Sequence, residues 1–153
     1  MIIGDSSALV SLSIMDRLDL LESIFGKIYV PQAVYNEVTI PDKPQSVKLK
    51  KFLKDKIVTV NLTITQMGLG QGELEAIALY KQLNSNFLLI DDRRAKKFAQ
   101  LNSVNVIGSL GVMILAKEQG LVNSIRNDLE KLIDSDVFVS ENLINRVLLS
   151  VGE

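Results

Sequence analysis

The sequence predicts an α/β fold built on a parallel sheet. Short, β-rich apolar runs alternate with longer helical patterns along the chain. Acidic residues stand just beyond the ends of two of those runs, where open parallel sheets gather their ligands. The 153 residues, 47% of them hydrophobic, suffice for one core, so a single domain over residues 1–153 is expected.

The first run, Met1-Ile2-Ile3, ends at Gly4-Asp5, and Ser6 and Ser7 then offer an N-cap for a helix through Leu9, Val10 and Leu12. A helical stretch from Arg17 to Phe25 stops at Gly26. The run from Lys27 to Val30 closes at Pro31, which suits the first turn of a helix from Gln32 to Val38. Pro41-Asp42-Lys43-Pro44 is a turn cluster, followed by a lysine-rich segment to Lys56. Ile57 to Val60 is expected as an edge strand. Gly68, Gly70 and Gly72 form a loop before a helix from Glu73 to Leu83 that is apolar nearly all round, and therefore buried on more than one side.

Asn86 to Ile90 is the clearest strand, with Asp91-Asp92 at its carboxyl end and a charged helix from Arg93 to Leu101 behind it. Val104 to Ile107 is the last sheet strand. Helices are expected at Leu110–Gln119, Val122–Ile133 and Glu141–Val151, with a short extended piece at Val137–Val139.

Composition narrows the chemistry. The chain has no Cys and no His. Disulfides, thiolate metal sites, Ser-His-Asp and Cys-His arrangements and imidazole zinc sites are thereby excluded. Acid–base work and metal binding fall on Asp and Glu. The net charge of −1, from 17 basic and 18 acidic residues, does not mark a nucleic-acid binder, so that case rests on local patches. No window resembles a signal peptide or approaches a membrane span, and the expected setting is cytoplasmic, without membrane attachment.

The candidate acids are Asp5, Asp91 and Asp92 at strand ends, Glu73 and Glu75 near the start of the apolar helix, and Glu37 near the end of the helix after the second strand. Mg²⁺ and Mn²⁺ prefer hard oxygen ligands, so carboxylates alone make a competent site. Two carboxylates about 4 Å apart repel by roughly 4 kcal/mol at an effective dielectric of ~20. Without a cation, at least one should titrate above its usual range. Each acid taken singly also suits a turn, a cap or a solvated face. The joint placement is the signal.

The glycine loop lacks the Gly-Lys-Ser/Thr ending of a phosphate cradle, and backbone freedom and close helix packing explain its glycines better. Two basic patches are available for phosphates. One runs from Lys43 through Lys48, Lys50, Lys51 and Lys54 to Lys56. The other, Arg93, Arg94, Lys96 and Lys97, adjoins the aspartate pair. Contacts of this kind position a strand without reading its sequence.

Taken in order, these segments resemble the PIN-domain family. Ile2-Ile3-Gly4-Asp5-Ser6-Ser7 resembles its opening strand, Val30-Pro31 through Glu37 its second motif, Gly70-Gln71-Gly72-Glu73-Leu74-Glu75-Ala76 its third, and Leu88-Leu89-Ile90-Asp91-Asp92-Arg93 its fourth. Gly108-Ser109-Leu110-Gly111-Val112 resembles a segment of a prokaryotic branch close to VapC-like toxin ribonucleases. The resemblance implies a three-layer α/β/α sandwich with a central parallel sheet in strand order 3-2-1-4-5. It implies Mg²⁺- or Mn²⁺-dependent cleavage of RNA. Asp5, Glu37, Glu75 and Asp92 match the acids of the site, Asp91 and Glu73 match assisting metal positions, and which member of each pair leads stays open. Ser7 matches a supporting hydroxyl, and Arg93 and Arg94 would contact phosphate. A small antitoxin follows by the same analogy; the apolar C-terminal helices, with Leu143, Ile144, Val147, Leu148 and Leu149, are expected to pack on the sheet or to form a homodimer face. Glu in the third motif, where many relatives carry Asp, and Ile90 in the place of a common Thr are departures that affect ligand reach. The alternatives are a regulatory RNA- or protein-binding module and a DNA nuclease.

Overall fold

The computed structural model describes residues 1–61 and 68–153. Five strands, β1 (Ile2–Gly4), β2 (Ile28–Pro31), β3 (Ile57–Val58), β4 (Phe87–Leu89) and β5 (Val106–Ile107), form one sheet in the order β3-β2-β1-β4-β5. Every pairing is parallel. Along a strand, neighbouring side chains point to opposite faces. In β1 the successive residues Ile2 and Ile3 are both fully buried, as are Leu88 and Leu89 in β4. Both faces of the central strands are therefore covered by helices, the usual condition of an all-parallel sheet. This is the three-layer arrangement and strand order expected.

The helices are α1 (Ser6–Ile14), α2 (Asp19–Phe25), α3 (Gln32–Val38), α4 (Ser46–Leu53), α5 (Gln71–Gln82), α6 (Arg93–Leu101), α7 (Ser109–Glu118), α8 (Arg126–Ile133) and α9 (Glu141–Ser150). Pro31 carries an extended backbone and hands β2 directly to α3. Gly26 ends α2 with φ +78°, a conformation that costs glycine nothing. Helix α5 packs on β1, β2 and β4 and against α3, which accounts for its mainly apolar composition. Helix α6 is amphipathic, with Ala95 and Ala99 buried while Arg93, Arg94 and Lys97 are exposed. No helix of the described residues is long and apolar enough to cross a membrane.

Several expectations need correction. Ser6 and Ser7 are not caps; α1 starts at Ser6, and Asp5 holds the N-cap position without a side-chain capping bond. Gly72 is not in the loop, because α5 begins at Gln71. Helix α8 begins only at Arg126, and residues 137–139 form no strand. The outer strands are also shorter than expected: β3 ends at Val58 and β5 starts at Val106. Both run along the sheet's margins, where fewer neighbours hold the ladder.

Candidate active site

The central strand delivers Asp5. Its backbone N–H donates to the Leu89 carbonyl at 2.9 Å, so the β1–β4 ladder runs up to the carboxylate itself. Asp5 is only 2% exposed. Its Oδ2 accepts a long bond from the Ser7 hydroxyl at 3.4 Å, while Oδ1 is buried with no partner among the described residues. Burial is the main reason that its pKa rises from 3.8 to about 7. The charges of Glu73 and Glu37 push in the same direction, and the Ser6 N–H and Ser7 hydroxyl offset part of the rise.

Glu37 comes from the last turn of α3. Its Oε2 accepts from the Ser6 hydroxyl at 2.6 Å. Its Oε1 lies 2.6 Å from the place a β-carbon on Gly72 would occupy. The bare backbone of Gly72, in the first turn of α5, is thus what lets this carboxylate lie against the helix start, where the exposed N–H dipoles favour negative charge.

Glu73 is the third residue of α5, and its Oε2 accepts from the Gly70 N–H at 2.9 Å, one half of a capping box. Its pKa is raised, first by partial burial, then by the charges of Asp92 and Glu37; the Gly70 N–H and Arg94 work against the rise. Glu75 is two residues further on, about 200° around the helix axis from Glu73. The charges of Glu73 and Glu37 thus act on Asp5, and those of Asp92 and Glu37 act on Glu73. Glu75 lies on a different side of α5.

The adjacent aspartates diverge in the same way. Asp91 spends both oxygens on one residue, accepting from the Ser109 N–H and from the Ser109 hydroxyl, each at 2.7 Å. Its own N–H donates to the Ser7 hydroxyl at 3.4 Å. Asp91 is thus a brace that ties the end of β4 to the start of α7. Asp92 is exposed and caps α6, its Oδ1 accepting from the Ala95 N–H at 2.8 Å. Arg93 and Arg94 also part company. Arg94 lies against Gly68 and opposes the charge on Glu73, whereas Arg93, with Lys96, lines a groove that reaches Glu37 and Asp91.

Ser6, Gly72 and Ser109 are the contributors that sequence reasoning missed. Only Gly72 carried a signal of its own, since a glycine in a helix costs stability unless a close neighbour requires it. Among the described residues no three acids already stand close enough together to hold an ion. The donor set nonetheless fits a hard divalent cation. It is made of oxygens alone, its carboxylates repel one another, and its most buried member keeps one oxygen without a partner.

Two outcomes follow. Folded Asp5 keeps its proton up to about pH 7, whereas the unfolded side chain loses it near 3.8. Between those values the native state binds more protons, so stability falls as pH rises, by a few kcal/mol in total. Thermal melts in EDTA are expected to show a declining Tm from pH 5 to pH 8. Asp5→Asn should flatten that slope and melt above wild type at pH 8; a steeper slope or a lower Tm contradicts the burial argument. The second concerns Gly72. Glycine-to-alanine in a helix normally gains up to about 1 kcal/mol. In this chain Gly72→Ala should gain nothing, because the new methyl group drives Glu37 off Ser6. The normal gain should return in a Glu37→Ala background, as read by urea denaturation.

A family model described as a PIN domain matches residues 1–153. No curated protein and no solved structure matches the chain. PIN domains are generally nucleases that use divalent metals. The match over residues 1–153, the 3-2-1-4-5 sheet and the acids at its carboxyl edge agree with one another, and the chain belongs to the PIN-domain family.

Proposed function

We propose that this protein is an endoribonuclease that depends on Mg²⁺ or Mn²⁺, with Asp5, Glu37 and Glu73 as the ion-holding acids and Asp92 at their edge. The observation that carries this reading is Asp5, a buried carboxylate with one oxygen unpartnered and two further carboxylates pressing on it. A bound ion supplies hydroxide at neutral pH and neutralises charge on the phosphoryl oxygens. The chain's own residues prepare for it. The Ser7 hydroxyl orients Asp5, the Ser6 hydroxyl orients Glu37, and the Gly70 N–H orients Glu73. Asp91 keeps the β4 end in place through Ser109. Arg93 and Lys96 supply positive charge for the substrate backbone on the groove side.

RNA in preference to DNA, and a role as the toxin of a toxin–antitoxin pair, rest on the motif resemblance. That reading brings with it a cytoplasmic setting and a small antitoxin partner. A homodimer is supported by apolar surface on α9, where Leu149 is 77% exposed and Leu143 41%. One observation favours a second reading, a binding module without catalysis: among the described residues no three acids are already within reach of one ion.

The purified protein is expected to cut RNA with Mn²⁺ or Mg²⁺ and to be silent in EDTA. Asp5→Asn and Glu73→Gln should abolish cutting, while Glu75→Gln should leave it near wild type. Asp91→Asn should lower metal affinity or activity by about 10–100-fold, as loss of an outer hydrogen-bonded support does. Cleavage that survives EDTA, or that needs Glu75 and not Glu73, would refute this assignment. Because a proton competes with the ion at Asp5, Mn²⁺ affinity measured by calorimetry should weaken as pH falls below about 7 and level off above it. No binding at millimolar Mn²⁺ would select the second reading. Matched DNA and RNA strands decide the sugar.

A further inference from the structure

We infer that the groove beyond the acids takes an unpaired nucleic-acid strand, and that Phe138 is the surface on which one of its bases stacks. The inference rests on the nuclease reading and adds a substrate subsite to it.

The groove measures about 1710 Å³, beyond the roughly 300–1,000 Å³ of ordinary small-molecule sites, so its size suits a polymer better than a metabolite. It starts at Ser6, Glu37 and Asp91 and runs to the segment between α8 and α9. At the acidic end stand Arg93 and Lys96. They lie three residues apart on one face of α6, and neither makes an ion pair among the described residues. Phe138 lines the same groove and is 94% exposed, while every other described aromatic residue is half-buried or nearly so.

A single exposed apolar side chain needs no explanation by itself. Phe138 differs in how it is presented. Its neighbours Val137 and Val139 are half-buried and pack on the core. The turn before it is tied down by Ser135, whose hydroxyl donates to the Leu132 carbonyl at 2.6 Å and accepts from the Val137 N–H at 3.1 Å. The backbone is anchored on both sides and the ring is left in the open. A ring face in a groove that also carries these cations matches the needs of a single strand, whose bases offer π-faces while its phosphates seek positive charge. Bases in a duplex are already stacked on one another and cannot reach such a platform without being unpaired. A second copy of this chain, or the apolar face of a partner helix, would also cover Phe138. Arg93 and Lys96 beside the acids favour the polyanion.

The chain contains no Trp, so Phe138→Trp creates a single fluorophore at the proposed contact. Titration with a single-stranded RNA oligonucleotide in EDTA should change that emission, with affinity close to wild type by anisotropy. Phe138→Ala should weaken the single strand by about tenfold and leave its salt dependence intact, since the phosphate contacts remain. A duplex of the same sequence should bind both proteins equally. With Mn²⁺ the alanine variant should raise KM at unchanged kcat. If wild type binds and cuts the strand while the emission of the Phe138→Trp variant and the affinity of the alanine variant do not move, the stacking subsite is wrong and the nuclease reading stands. If no nucleic acid binds and none is cut, both fall. If Phe138→Ala turns a dimer into a monomer in sedimentation without touching strand affinity, Phe138 is a protein contact and the inference is overturned.

Discussion

A carboxylate buried at the end of the central strand, with one oxygen lightly held and the other without a partner among the described residues, is the constraint around which this site is organised. Burying a charge is expensive unless something pairs with it. The neighbours of Asp5 make matters worse, because the charges that act on it, Glu73 and Glu37, are also negative. Such an arrangement is a liability for folding and an asset for binding. What destabilises the empty protein is what a divalent cation would relieve, and the trade of stability for function is common at active sites.

Supports that are themselves uncharged hold this repulsion in place. Serine hydroxyls and a backbone N–H restrain the acids at Ser6, Ser7 and Gly70, and the missing β-carbon of Gly72 makes room for Glu37. Positive charge is kept at the periphery, with Arg94 on the Glu73 side and Arg93 and Lys96 on the groove. No salt bridge among the described residues quenches Asp5, Glu37 or Glu73. The cluster stays available to a cation because its own lysines and arginines do not fill it.

Much of this was legible in the sequence, for local reasons. Ile2-Ile3 and Leu88-Leu89 are apolar on both alternating faces, as only a strand covered on two sides requires, and the acids after them fall at the carboxyl edge wherever the sheet is parallel. The bounds of α3 and α6 were readable because Pro31 and Asp92 mark their starts. The choice between neighbours was not readable. Glu73 and Glu75 are equivalent by composition, and only the start of α5 at Gln71 makes Glu73 the residue that accepts from the Gly70 N–H and whose charge acts on Asp5. Asp91 and Asp92 are separated by a bond to Ser109, 18 residues away in sequence, and Ser6 meets Glu37 across 31. Ser6 and Ser7 look like caps because such residues usually are; here the Ser6 hydroxyl donates to Glu37, and the Ser7 hydroxyl donates to Asp5 and accepts from the Asp91 N–H.

The proposed site has Asp5, Glu37 and Glu73 sharing one divalent cation. A crystal soaked in millimolar Mn²⁺ at pH 8 and measured at the manganese absorption edge tests it directly. The expected result is an anomalous peak bounded by Asp5 and Glu73, with Glu37 alongside and none at Glu75. A peak at Glu75 alone, or density showing Asp5 still unpartnered at full Mn²⁺, would contradict it.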